Sequence, residues 1–192
     1  MVQIRPAPPP GRLLQALGLP AGAKTLASAK IRLARDTTAK EAEDNGWLVV
    51  TSRGLGIGLE DGPIRLRHTD WLEIERISLK RVEGQPRKGA AAWLTVHLID
   101  QSPARRILLP NAAKRIASLI NERFEASIVT LEHRQVAGHQ VRGALRRTHD
   151  DRLEVQVVVP PQLDRHTLEV LAAIEQLGAC LSEAAGGPPG TW

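Results

Sequence analysis

Apolar and polar positions alternate in short runs between Asn45 and Leu79. Three apolar runs, Trp47–Thr51, Leu55–Leu59 and Ile64–His68, are separated by turn residues that include an Asp-Gly pair. Alternation with a period of two is typical of half-buried strands, and Asp-Gly between such runs is a strong hairpin signal. A fourth segment contributes Trp71, Ile74, Ile77 and Leu79. This stretch therefore predicts a compact antiparallel meander on which the rest of the chain packs.

Further strands flank the meander on both sides. Thr25–Ala34 alternates well enough for a first strand, and Ala91–Ile99 carries Trp93, Thr95 and His97 on one predicted face. Arg105–Leu109 predicts the last strand, and Asn111–Glu125 predicts an amphipathic helix with Asn111 as its N-cap. The seven predicted strands lie near residues 26, 47, 55, 64, 77, 92 and 105. A seven-stranded unit closed by one helix is expected.

A different unit is predicted after the helix. Ser127–Val136 and Gln140–Arg147 are predicted strands, and Leu153–Val159 alternates most regularly of all. Asp164 is a candidate cap for a final helix. Its predicted apolar face consists of Leu168, Leu171, Ile174, Leu177 and Leu181. Three antiparallel strands and one helix therefore form the second lobe.

These patterns divide the chain into four segments. Residues 1–24 are predicted to form a proline-rich arm and a short helix, and residues 25–125 the seven-stranded unit. Residues 126–186 form the second lobe, packed on the first, and residues 187–192 a loose tail. A lobe of roughly 60 residues is marginal alone. We therefore expect a fragment of residues 126–186 not to fold by itself.

The meander resembles a known family. The sequence GWLVVTSRGLGIGL, followed by GPIRLRHTDWLEIERISL, is similar to small bacterial pleckstrin-homology-like (PH-like) proteins, and actinobacterial members are the most similar. The matching residues are Gly46, Thr51, Arg53, Leu55, Ile64, Trp71 and Ile74. The resemblance implies an α+β, mostly β fold: a seven-stranded antiparallel barrel or sandwich, capped by one helix that plugs its open end. It transfers no catalytic residue.

Composition narrows the class of protein. Apolar residues make up 42% of the chain, but there are only four Trp, one Phe and no Tyr, so the core must consist of Leu, Ile, Val and Ala. Cys180 is the single cysteine, which excludes an internal disulfide framework and favours a reducing cytoplasm. No segment approaches the roughly 20 apolar residues of a membrane span. We expect a cytoplasmic protein.

The positive charge lies in the front of the chain. The net charge is +5, of which residues 1–45 carry +3, residues 46–125 carry +4 and residues 126–192 carry −2. A basic region of this kind favours anionic lipid, nucleic acid or an acidic partner, although solvated surface charge accounts for most such patterns. The candidate residues for binding a partner or an anion are Lys30, Arg32, Arg53, Arg65, Arg67, Arg105 and Arg106.

The best-known ligand of PH domains is not expected here. These domains bind inositol phosphates in the loop between their first two strands, which corresponds to Arg35–Asn45. That loop carries two basic and four acidic side chains, a net charge of −2. Such a loop repels a polyanion at short range. The sequence therefore predicts no specific inositol phosphate binding.

Other motifs favour structural interpretations. His133, His139, His149 and His166 lie near carboxylates, but their spacings are irregular, so neither a metal nor a cofactor is predicted. Cys180 is interpreted as a small, partly buried helix residue. Gly54, Gly56 and Gly58 alternate within a predicted strand, which indicates close backbone approach or sharp curvature. Among the tryptophans, Trp71 and Trp93 are predicted core residues, and Trp47 is the one expected to be partly exposed.

These observations favour a non-catalytic PH-like binding module in a bacterial cytoplasm, with a protein as partner. Two alternatives stay open. The basic front half favours a peripheral contact with anionic membrane or nucleic acid, which salt-dependent binding would reveal. The second alternative is an enzyme whose site between the lobes has no sequence signature, and a buried cluster of titrating groups would support it.

Overall fold

The computed structural model describes residues 8–34, 43–59, 64–81, 90–110 and 113–187. Within them the chain is α+β and mostly β, as expected. It divides into two compact units, residues 1–123 and 124–192. The strands of the first unit are β1 (Thr25–Ala34), β2 (Glu43–Thr51), β3 (Gly54–Leu59), β4 (Ile64–Asp70), β5 (Ile74–Arg81), β6 (Ala90–Leu98) and β7 (Arg105–Pro110). Its helices are α1 (Gly11–Leu17) and α2 (Lys114–Ala126), and α2 runs on into the second unit.

The seven strands form one antiparallel sheet in the order β4-β3-β2-β1-β7-β6-β5. The seven antiparallel strands confirm the expected composition of the sheet. The expected barrel is wrong, because in the described part of the chain β4 pairs only with β3 and β5 only with β6, so the sheet does not close. β1 lies in the middle, since it pairs with β2 on one side and with β7 on the other.

The pairing register gives the sheet two distinct faces. Directly opposed residues of an antiparallel pair project to the same side, and alternate residues project to opposite sides. One side, the inner face, carries apolar residues from five strands. They are Ala29, Ile31, Leu48, Val50, Leu55, Ile57, Leu94, Val96, Ile107 and Leu109, all buried. The core of the first unit therefore lies on the inner face.

Helix α1 packs on the opposite, outer face of the sheet, against β3 and β4. Leu13 and Leu17 project from the same side of the helix and are buried against Trp47 and Val49 of β2. Gly18, at φ 65°, ends the helix in the left-handed conformation that glycine adopts without strain. The prediction that Trp47 is exposed is wrong: it is 2% exposed, because α1 covers it.

The alternating glycines of β3 make room for this helix. A Cβ atom at Gly56 would lie 2.9 Å from Leu17 Cδ2, and one at Gly58 would lie 2.6 Å from Leu13 Cδ1. At Gly54 the obstacle is backbone, since a Cβ would lie 1.9 Å from the Thr69 carbonyl oxygen of β4. The interpretation of these glycines as sites of close approach is confirmed.

A hydroxyl group organises the turn between β2 and β3. Thr51 Oγ1 accepts hydrogen bonds from the backbone N–H groups of Arg53 (3.1 Å) and Gly54 (3.0 Å). It also lies 2.8 Å from His68 Nε2 of β4. The Arg53 carbonyl oxygen in turn accepts from the backbone N–H of Trp71 at 3.0 Å. Trp71 is 6% exposed, as predicted for a core residue.

A short 3₁₀ helix, Trp71–Glu73, connects β4 to β5. Its start is capped reciprocally, because Asp70 Oδ1 accepts from the Leu72 N–H and Glu73 Oε2 accepts from the Asp70 N–H. This cap fixes the direction in which β5 leaves β4. The Asp-x-x-Glu sequence therefore caps the 3₁₀ helix and thereby sets the direction of β5.

Helix α2 follows β7, close to its predicted position. Ala113, Ile116, Ile120 and Phe124 are buried at helical spacing. The predicted cap, Asn111, lies outside the described residues. Phe124 belongs to the second unit, where the guanidinium carbon of Arg146 lies 5.0 Å from the centroid of its ring.

The second unit contains β8 (Ile128–Val136), β9 (His139–Arg147), β10 (Leu153–Val158) and α3 (Leu168–Ala184). The strands form an antiparallel sheet in the order β10-β9-β8, and α3 packs against all three. The three strands and one helix of the second lobe are confirmed. Its apolar cluster consists of Val136, Val141, Val159, Val170, Ala173 and Leu177.

The buried side of α3 differs from the predicted one. Leu177 and Leu181 are buried, but Leu168 and Leu171 are 85% and 47% exposed. Val170 and Ala173 are buried in their place. The cap differs as well: Thr167 occupies the N-cap position, while Asp164 accepts from the His166 N–H one turn earlier.

Glycine sets the approach of α3 to its sheet. A Cβ atom at Gly143 of β9 would lie 2.7 Å from Leu181 Cδ1 and 3.3 Å from Leu177 Cβ. The lobe thus buries an apolar cluster of its own. That it does not fold alone stays a prediction, and a cooperative melt of a fragment of residues 126–186 would contradict it.

Candidate basic face

Half of the outer face of the seven-stranded sheet lies beyond α1. On β5, β6 and β7 the register places three rows of side chains there: Lys80–Trp93–Leu108, Ser78–Thr95–Arg106 and Arg76–His97. The shared face predicted for Trp93, Thr95 and His97 is therefore confirmed. Leu108 is buried in this layer, whereas Arg76, Lys80 and Arg106 are exposed.

Arg106 stacks on Trp93 at the centre of this region. The guanidinium carbon of Arg106 lies 4.8 Å from the centroid of the Trp93 ring. A cation over an indole is attracted by the negative face of the ring. The ring therefore holds the planar guanidinium in place while Arg106 stays exposed. Trp93 itself is half-buried, so the prediction that it is a core residue holds only in part.

A second contact orders the adjacent row. Arg76 Nη2 donates to His97 Nε2 at 3.2 Å, so the ring nitrogen facing Arg76 must carry its lone pair. Burial, and secondarily the charge of Arg76, lower the pKa of His97 below 6.5. His97 in its neutral form therefore positions Arg76 without competing with it for an anion.

The central strand β1 adds two further cations. Arg32 pairs with Leu108 of β7, and Lys30 lies two residues away on the same side. The Lys30 ammonium also lies 5.5 Å from the Trp47 ring centroid. We call the set Lys30, Arg32, Arg76, Lys80 and Arg106, with Trp93, the basic face. None of the described side chains in its rows is a carboxylate.

The structure brings together three of the seven residues that the sequence singled out: Lys30, Arg32 and Arg106. Arg105 projects to the inner side, opposite Val96. It contributes a little to the low pKa of Asp100, which is set mainly by hydrogen bonds from Ser102. Arg53 is half-buried in the β2–β3 turn, and Arg67 is exposed on β4. The side chain of Arg65 lies outside the described residues.

Sequence reasoning missed Arg76 and Lys80. Both alternate with apolar residues along β5, and that signal indicates which side they occupy within their own strand. It does not indicate that β5 lies two strands away from β7 and three from β1, since this depends on the pairing order. The loop predicted over Arg35–Asn45 is also shorter, because residues 43–45 pair with β1.

The contact between Thr51 and His68 resembles a second kind of site. A hydroxyl beside an imidazole is the arrangement of a nucleophile and its base. Thr51 is fully buried, however, and its oxygen already accepts two backbone N–H groups. The pair therefore has the geometry of a structural turn.

The free energy of unfolding is expected to fall as the pH drops below about 6.5, and His68 is one cause. Burial lowers its pKa below 6.5, and Arg53 adds to this, although Asp70 and Glu73 oppose it. The unfolded chain then takes up the proton at a higher pH than the folded chain, so acidification favours unfolding. Urea denaturation between pH 5 and 7 should show a shallower decline for His68→Gln than for wild type. An equal decline for the two proteins would contradict the prediction.

Other candidate groups do not assemble. Among the described residues, no group of three or more His, Cys, Asp or Glu side chains is placed to hold a metal ion. Cys180 is half-buried on α3, as predicted. No helix in the described ranges has the length and apolar character to cross a membrane. The basic face is therefore the strongest candidate site of the described chain.

Comparison with known proteins adds little to this picture. No protein-family model and no curated protein matches the chain. Among solved structures, the chain is similar to the C-terminal domain of an unknown protein from Leishmania infantum. The two share 14% sequence identity with a TM-score of 0.44, over 60% of this chain and 96% of that one. At this level of similarity, nothing about function follows.

Proposed function

We propose that the chain is a non-catalytic, PH-like binding module of a bacterial cytoplasm, and that it binds a polyanionic partner through the basic face. The strand order, with one helix directly after β7, supports the PH-like assignment. The observation that carries the function is the basic face itself. Five cations on one surface, with no described carboxylate in their rows, attract a partner that presents several negative charges at once.

The composition of the face favours a polyanion over an ordinary protein surface. Cores of protein–protein interfaces are depleted in charged residues, and their binding energy comes from buried aromatic and apolar anchors. Among the described residues of β5, β6 and β7, this side presents no exposed large apolar side chain. A protein partner fits only if its contact surface is strongly acidic. Anionic lipid attracts these cations too, at about 1 kcal/mol each, but the described residues offer no apolar anchor to insert between lipids.

Binding to polyphosphate is expected to weaken steeply with salt and with loss of cations from the face. Each phosphate contact releases counterions, which makes the logarithm of the affinity fall linearly with the logarithm of salt concentration. Arg76→Ala with Lys80→Ala should reduce affinity roughly tenfold or more at physiological salt and flatten the salt slope by about one to two units. Fluorescence titration over a salt series measures both quantities.

The chain offers a matched control. Arg147→Ala with Arg152→Ala removes the same charge from exposed positions of the second unit, where Arg147 and Arg152 pair with Asp151 and Asp150. This control should bind polyphosphate like wild type. If both double variants lose affinity equally, net charge alone drives the binding. If wild type does not bind polyphosphate at all, the proposed function is wrong.

A further inference from the structure

We propose that the polyanion is a single-stranded nucleic acid, with one base stacked on the Arg106–Trp93 pair. This rests on the proposed function, because it names the partner of the same face. The guanidinium of Arg106 lies 4.8 Å from the Trp93 ring centroid, and Arg106 is exposed. One side of a planar cation is therefore held by an indole, and the other is open to a second planar group.

Unpaired bases are recognised by such planes. Proteins that bind single strands stack bases on aromatic rings and on arginine guanidinium groups, and they track the phosphates with a basic surface. A carboxylate or a phosphate gains charge and hydrogen bonds from the edge of the Arg106 guanidinium, whereas a base can also stack on its plane. The combination of plane and charge at one point therefore favours a ligand that has both bases and phosphates.

The remaining groups of the face match the other parts of a nucleotide chain. Lys80 lies directly beside Trp93, and Arg76 lies four residues along β5, about 13 Å away at the usual rise of a strand. The two cations can therefore neutralise phosphates on either side of the stacked base. Between them, Ser78 and Thr95 place hydroxyl groups beside Arg106, where they can hydrogen-bond a phosphate, a sugar or a base edge.

Two other polyanions, duplex nucleic acid and an acidic peptide, cannot stack on the Arg106–Trp93 pair. A duplex hides its bases in stacked pairs, so the Arg106–Trp93 plane would gain nothing from it. An acidic peptide has carboxylates but no base to stack. Because β5, β6 and β7 are neighbours in one sheet, a splayed single strand can lie across the side that they share.

The test compares the intact chain with Arg106→Lys. Lysine keeps the charge but lacks the plane. Fluorescence anisotropy with labelled oligodeoxythymidylate, oligouridylate and an abasic strand of equal length measures the affinity of each protein. The variant should lose roughly tenfold in affinity for both oligonucleotides, the usual scale of one stacked base, and nothing for the abasic strand. Wild type should bind the abasic strand only as tightly as the variant binds an intact one. The ratio of the deoxythymidylate and uridylate affinities shows whether DNA or RNA is preferred.

Two controls separate the possible outcomes. Arg147→Lys makes the same change on the second unit and should bind like wild type, and thermal melts should show that Arg106→Lys is folded. If wild type binds intact and abasic strands equally, or if Arg106→Lys changes nothing, stacking is wrong while polyanion binding stands. Tighter binding to polyglutamate or to phosphatidylserine vesicles than to the oligonucleotides would overturn the inference in favour of an acidic protein or a membrane. Failure of every polyanion to bind would overturn the proposed function as well.

Discussion

Replacing Gly54 by alanine is expected to lower the free energy of unfolding by at least about 3 kcal/mol, the upper end of the usual cost of overpacking. The new Cβ would lie 1.9 Å from the Thr69 carbonyl oxygen and 2.9 Å from Asp70 Cα. These are backbone atoms of the paired strand β4, so no side-chain rotation relieves the clash. The strands must separate, and this also disturbs the Thr51 turn that bonds to the Gly54 N–H. Urea denaturation followed by circular dichroism measures the loss.

Two other glycines calibrate this prediction. Gly58→Ala should cost less, because its Cβ meets the ends of the Leu13 and Ile64 side chains, which can rotate. Gly11→Ala should be neutral or slightly stabilising, since nothing lies within 4 Å of its added Cβ and it begins a helix. A Gly54→Ala protein as stable as Gly11→Ala would show that β3 and β4 are not packed as described.

Trp71→Ala is expected to destabilise the protein by about 3–5 kcal/mol, as large aromatic truncations in cores do. Trp71 is 6% exposed and lies at the start of the 3₁₀ helix that aims β5. Its removal leaves a cavity next to a segment whose direction depends on packing. Guanidinium denaturation, monitored by far-ultraviolet circular dichroism, should show a lower midpoint with a similar slope.

Trp93→Ala is the natural comparison. Trp93 is half-buried, and the exposed Arg106 lies over its ring, so the loss should be clearly smaller than for Trp71. An unchanged midpoint for Trp71→Ala would show that Trp71 is exposed and make it a candidate stacking residue. A larger loss of unfolding free energy for Trp93→Ala than for Trp71→Ala would show that Trp93 is a core residue and that its side of the sheet is not a free binding surface.

Local patterns were sufficient to predict the elements, because strand alternation and turn residues are encoded within a few positions. The first strand and the three strands of the second lobe occupy nearly the predicted residues. The burial of individual residues depends on what covers them. Trp47 follows a turn and precedes an apolar run, and nothing in that stretch indicates that a seven-residue helix from the N-terminal segment lies on it.

The buried side of α3 illustrates a second limit. Apolar residues occur all around this helix, so periodicity allows more than one buried side. The observed side is selected by Gly143, the glycine of β9 that admits Leu177 and Leu181, and this leaves Leu168 exposed. The relevant signal is a glycine on a strand of the sheet, and no pattern within the helix itself can reveal it.

The candidate site was predicted only in part, for a reason of topology. Lys30, Arg32 and Arg106 were identified by charge, but charge alone also selected Arg105, which faces the inner side. Arg76 and Lys80 join the set only because β5 is placed beside β6 and β7. The composition therefore predicts that the face is positively charged, but the strand order decides which cations belong to it.

The central position of β1 has a consequence for the order of folding. Every other pairing in the seven-stranded sheet joins strands that are consecutive along the chain. β1 and β7 are the exception: they pair Leu33 with Ile107, although most of the unit's sequence lies between these two residues. Such a distant pairing carries the largest loop-closure entropy and is expected to form late. The sheet then assembles as two meanders, β1–β4 and β5–β7, that join along this seam. The basic face spans it, with Arg32 on one meander and Arg76, Lys80 and Arg106 on the other. A ligand held by both groups of cations would bind only the joined sheet and would slow its separation, so binding and kinetic stability would rise together.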